Sequence, residues 1–184
     1  MQTRLLGPFR VSAIGLGAMP MSSNADRQVP DESQAMATIH AALDSGVTLI
    51  DTADIYAPTW DSMGHKETLV GKAMASYDGN TDDAVIATKR GTTRSEGEVW
   101  GRNATMPYLR AAVEKSLRNL GVDVIDLYQW HRPDRSMVYA DAMANFKALQ
   151  DEGKIKSIVD SAKAADVELS DEELQRCSAT GGSQ

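Results

Sequence analysis

Apolar residues recur along this chain in two alternating rhythms. Short unbroken runs rich in Val, Ile and Leu read as buried strands, and longer stretches repeat apolar residues at helical spacing. The strand-like runs fall at 12–16, 47–51, 84–89, 124–130 and 155–159. Ahead of them, Gly7-Pro8 sits between two short apolar segments over 5–11, the pattern of a small hairpin. The first helical pattern, 31–44, opens at Pro30-Asp31, closes at Gly46 and puts Met36, Ile39 and Leu43 on one face. The second, 66–76, turns Leu69, Val70 and Ala73 inward. The third is capped by Thr105, has Pro107 in its first turn, and repeats Leu109, Val113, Leu117 and Leu120 until Gly121. The fourth spans 139–151 and stops at Gly153. Between the second and third lies a polar stretch, 90–103, holding Trp100; a loop that long is usually functional or disordered.

Strand alternating with helix predicts an α/β array of parallel strands, about four to five β/α units where a closed (β/α)8 barrel needs eight. The rhythm breaks after the fifth strand. Residues 160–168 are alanine-rich and helix-like, Ser170 to Glu173 form a capping box, and 178–184 are polar. The expected organisation is a partial barrel over 1–159 and a helical tail over 160–184.

Composition adjusts this picture only slightly. Hydrophobic and charged fractions of 42% and 24% place the chain with ordinary soluble domains. A formal net charge of -7 argues against nucleic acid or an anionic membrane as partner. A single cysteine, Cys177, cannot form an internal disulfide, which suits a reducing compartment. No run approaches the ~20 apolar residues of a membrane span, and the glycine-rich run 11–21 lacks the form of a signal peptide. The expectation is a cytoplasmic protein.

Three strand runs end in residues with chemistry. One ends at Asp51, with Tyr56 five residues on; another leads into Lys89, and a third into His131. Parallel strands would bring all four to the carboxyl rim, where such folds keep their active sites. Together they suit carbonyl reduction. Tyr56 is the acid, Lys89 an ammonium that lowers its pKa, Asp51 the lysine's counter-ion and His131 a clamp for the carbonyl oxygen.

These segments resemble the aldo/keto reductases. The similarity rests on Asp51-Thr52-Ala53-Asp54-Ile55-Tyr56, on Ala87-Thr88-Lys89, and on Asp126 through Asp134 around His131. It extends to Gly15-Leu16-Gly17-Ala18-Met19, to Leu5-Leu6-Gly7 with Val11-Ser12, and to Glu152-Gly153-Lys154-Ile155. The resemblance implies a (β/α)8 TIM-barrel type, hydride transfer from NADPH to a small-molecule aldehyde or ketone, and Asp51, Tyr56, Lys89 and His131 as catalytic tetrad. It implies Ala18, Met19 and Asp51 as cofactor contacts. Beyond Ile158 the family's strand-five and strand-eight phosphate-binding residues are missing, and Ala162 through Leu174 resembles the family's carboxyl-terminal segment. An internal deletion near 157–161 explains both, and it implies weak or absent NADPH binding and open barrel edges through which two chains would pair as a homodimer. The rival expectation is a non-catalytic truncated remnant acting as a binding or oligomerising module.

Other readings carry less. Gly15-Leu16-Gly17 superficially matches a dinucleotide loop, but Pro20 falls where the helix should begin. Asp51, Asp54, His65, Glu67 and His131 fit no compact metal-ligand spacing, and Lys89 would repel a cation. Trp60 and Trp100 are expected on the active face, as pocket wall or rim cover. His40, inside a helix, reads as a surface or packing residue, and Cys177 lacks a neighbouring base.

Overall fold

A computed structural model describes residues 1–21, 31–134 and 136–160 of the chain. Strands β1 (Thr3–Leu6) and β2 (Phe9–Ser12) pair antiparallel as the expected hairpin. The chain then runs through β3 (Leu16–Gly17), α1 (Glu32–Asp44), β4 (Leu49–Asp51), α2 (His65–Ala75) and β5 (Val85–Arg90). It continues with β6 (Thr92–Ser95), β7 (Val99–Arg102), α3 (Met106–Leu120), β8 (Ile125–Trp130), α4 (Tyr139–Asp151) and β9 (Ile155–Asp160).

Strands β3, β4, β5, β8 and β9 form one parallel sheet in that order, an incomplete TIM-type barrel that does not close among the described residues. Alternation along each strand gives the sheet two faces. Ile50, Ile86, Tyr128 and Trp130 pack against Leu109, Val113 and Phe146 of the helices. Val85, Ala87 and Leu127 point the other way, into a smaller cluster that Val11, Leu6 and Phe9 of the hairpin cover. Parallel pairing places the carboxyl ends of β4, β5 and β8 along a single rim.

Four expectations change. The strand expected over 12–16 is only Leu16–Gly17, with Ser12 inside the hairpin and residues 13–15 exposed, Ile14 among them; glycines on both sides of Leu16 weaken strand pairing there. The polar stretch 90–103 is neither irregular nor disordered but the antiparallel hairpin β6–β7. Thr105 occupies the N-cap of α3 without capping it; its hydroxyl turns back to Asn103 Oδ1 at 2.8 Å. Asp160 belongs to β9 rather than to a helix. The helical tail expected from 161 onward, with its capping box and Cys177, lies outside the described residues.

Candidate active site

Sheet register assembles the site. Asp51, the last residue of β4, is level with Ala87 on β5, and Lys89, two residues further up, is level with Gln129 on β8. Lys89 reaches back diagonally, donating from Nζ to Asp51 Oδ2 and to the Thr52 carbonyl at 2.8 Å. Gln129 Nε2 donates to the other Asp51 oxygen at 2.8 Å. Tyr56 stands beyond the end of β4, its ring centroid 5.2 Å from Lys89 Nζ. His131, directly after β8, meets the Tyr56 ring edge-on, with centroids 5.8 Å apart and planes at 88°. All four expected residues therefore converge at one end of the sheet.

Their surroundings set the proton inventory. Burial raises the Tyr56 pKa above the usual tyrosine value, and the Asp51 charge raises it further. Burial lowers that of Lys89, while the hydrogen bond and charge of Asp51 oppose the fall. His131 is pushed down to about 4, first by burial and then by the charges of Lys89 and Arg132, with Asp51 opposing. At neutral pH the phenol keeps its proton and the imidazole is uncharged. The lowering of the phenol pKa expected of Lys89 is reversed here. Its ammonium is bound to Asp51 and Thr52, so burial and the Asp51 charge prevail.

Tyr56 and His131 line a cavity of about 680 Å³, together with Met19 and Trp100. Trp60 is absent from its wall and sits in a short turn, Trp60–Ser62. Ala18 is buried, and its N–H donates to the Asp51 carbonyl at 2.8 Å. Met19 is 52% exposed. The residues considered as metal ligands divide, with Asp51 and His131 at the rim and Asp54 and Glu67 bound to Arg90 behind the sheet. Glu67 lies buried on the helix side, and among the described residues no group of three His, Cys, Asp or Glu side chains could hold an ion. His40 packs as expected, with Nε2 2.8 Å from the Ala73 carbonyl.

Two supports escaped sequence reasoning. One is Gln129. The other is a buried charge network behind the sheet. Arg90, next to Lys89 but on the opposite face, pairs with Asp54 and, at 3.1 Å, with Glu67. Thr88 and Ser116 each donate to Glu67 at 2.7 Å, and Asn119 donates at 2.9 Å. Asp54 lies on the segment between Asp51 and Tyr56, so the network ties the loop bearing Tyr56 to the strand bearing Lys89. Backbone bonds from Gly64 N to Asp54 O (2.6 Å) and from Lys66 N to Tyr56 O (3.2 Å) fasten that loop to the start of α2. A signal was present: strand alternation sends Arg90 among the helices, where a cation needs carboxylates.

The model of the aldo/keto reductase family matches residues 13–170. The chain belongs to the aldo/keto reductase family. Among solved structures it is similar to an aldo-keto reductase of Bacillus halodurans in its holo form, at 33% identity and a TM-score of 0.73. That match covers 88% of this chain and 50% of the other. It is also similar to a glycerol dehydrogenase of Gluconobacter oxydans, at 32% identity and a TM-score of 0.71, covering 91% of this chain and 48% of that one. The chain thus spans about half the length of these aldo/keto reductase structures. The described sheet corresponds to part of the family barrel.

Proposed function

We propose that the rim of β4, β5 and β8 is an aldo/keto reductase centre that reduces a small aldehyde or ketone with NADPH. The observation that carries this reading is the Lys89–Asp51 pair lying beside the Tyr56 ring, with His131 packed edge-on against that ring above an open cavity. A substrate carbonyl oxygen would sit between the Tyr56 hydroxyl and the neutral His131 imidazole. When bound, NADPH supplies the hydride that reaches the carbonyl carbon. Tyr56 gives its proton to the developing alkoxide, the product alcohol forms, and water returns a proton to the phenolate. The raised pKa keeps the donor protonated beforehand, and Lys89 stabilises the phenolate once it forms. Asp51 holds the ammonium charged in a site where burial works against it.

The residues present fit the nicotinamide end of such a cofactor. Ala18 is held against Asp51, and Met19 contributes to the cavity wall beside Tyr56 and His131. Met19 and Asp51 would flank the ring, with the buried Ala18 behind them rather than in contact. Titration with NADPH, followed by nucleotide fluorescence, tests the reading directly, and absence of binding at about millimolar cofactor would refute it. Tyr56→Phe should lower kcat by about 10²–10⁴-fold with the thermal midpoint unchanged; equal rates would remove Tyr56 as the acid.

A second reading is a non-catalytic module that associates with copies of itself. Among the described residues β3 and β9 each pair on one side only, which favours self-association whether or not the rim is active.

A further inference from the structure

The cavity wall carries charge of one sign. Among the described residues Arg94, Arg102 and Arg132 line it and no aspartate or glutamate does, although the chain has a formal net charge of -7. Arg94 is fully engaged. It pairs with Glu98, donates to the carbonyls of Ala57 at 2.8 Å and Pro58 at 3.1 Å, and lies 5.1 Å from the Trp100 ring centroid. It fastens the β6–β7 hairpin over the Tyr56 loop.

The other two arginines keep donors unused among the described residues. Arg102 donates through Nη1 to the Pro133 carbonyl at 3.0 Å. Its other guanidinium nitrogens, and all those of Arg132, make no hydrogen bond or ion pair with side chains of the described residues. The Arg102 charge reaches the Asp134 carboxylate, whose Oδ1 already accepts from Ser136 N and Oγ. Because Pro133 follows Arg132, that bond brings guanidiniums from two separate segments to the same opening. The Arg132 charge is also felt at the adjacent imidazole of His131.

Planar guanidinium forks match the geometry of carboxylate and phosphate. A cationic opening on an acidic protein also draws anions to that place alone. We infer that the carbonyl compound taken by this cavity carries a carboxylate or phosphate a few bonds from its C=O, held by Arg102 and Arg132 while Tyr56 and His131 meet the carbonyl oxygen. The carbonyl half of this inference rests on the reductase reading, whereas the anion half rests on the arginines. The same forks would also suit a dinucleotide's phosphates, so the test separates the two sources.

Calorimetric titration of the full chain with 4-oxopentanoate, its methyl ester and NADPH, at low salt, decides the matter without turnover. The acid is expected to bind about tenfold more tightly than the ester. That gap should shrink with added salt, close to within about twofold in R102Q/R132Q, and partly persist in R102K/R132K, which keeps the charges without the forks. Should the double variant fail to fold, R132Q alone, which removes no bond to a described residue, is expected to narrow the gap by about threefold. Equal binding of acid and ester by the parent would overturn the inference. So would a double variant that loses affinity for NADPH while keeping the acid–ester gap. Binding of the acid with no reduction of any carbonyl would refute the reductase reading alone, and equal KM for acid and ester would refute the anion subsite alone.

Discussion

Lys89 and His131 show how position alters the chemistry of a residue. The Lys89 ammonium is fixed by Asp51 and the Thr52 carbonyl, 5.2 Å from the Tyr56 ring centroid, and in the proposed reaction it would offset part of the cost of forming the phenolate that burial and Asp51 impose. Lys89→Met should therefore cut kcat by about 10²–10⁴-fold while shifting KM little, a split that steady-state kinetics would reveal. It would also leave Asp51 charged beside the phenol, so a fall in KM instead would mean that Lys89 mainly strains bound substrate. His131 gives a pH signature. Its folded pKa is about 4, below the ordinary 6.5, so the unfolded chain takes up a proton that the folded chain refuses. The stability gained by keeping it neutral is full above pH 6.5 and is lost as pH falls towards 4. Thermal midpoints should drop by several degrees between pH 7 and pH 5, and His131→Gln should flatten that dependence. An unchanged slope in the variant would place the titration elsewhere.

At the scale of elements, α2 and α3 hold the Tyr56 loop through the Asp54–Arg90–Glu67 network, and their close approach depends on Gly71. A Cβ added there would lie 2.7 Å from the carbonyl oxygens of Asn119 and Leu120, where backbone has little room to yield. Gly71→Ala should cost about 1–3 kcal/mol by overpacking, read as a lower urea midpoint with unchanged slope. A neutral effect would show that the two helices slide apart freely. The β6–β7 hairpin escaped the sequence for a related reason. Its residues are largely polar and mostly exposed, so no apolar alternation announces the strands, and its turn requires positive φ at both Gly97 (73°) and Glu98 (61°). Only the pairing of Arg94 with Trp100, and the hold of Arg94 on Ala57 and Pro58, makes it a wall of the cavity.

For the molecule as a whole, the described sheet stops at β3 and β9. Unpaired strand edges in a parallel sheet seek partners. Light scattering over a range of concentrations should show a dimer, and a strictly monomeric, cooperatively folding species would exclude pairing through those edges. Local pattern along the chain determined the α/β alternation, nearly every boundary of the four described helices and the strand ends where Asp51, Lys89 and His131 lie. Those features depend on neighbours a few residues apart, and parallel strands share one rim whatever their order. Tertiary structure alone decided what depends on register and burial: that Lys89 reaches diagonally to Asp51, that Gln129 completes the carboxylate's bonds, that Arg90 turns to a buried acid network, and that Tyr56 is made a weaker acid rather than a stronger one. Desolvation and charge act through space between residues far apart in sequence, so no local spacing encodes their sign.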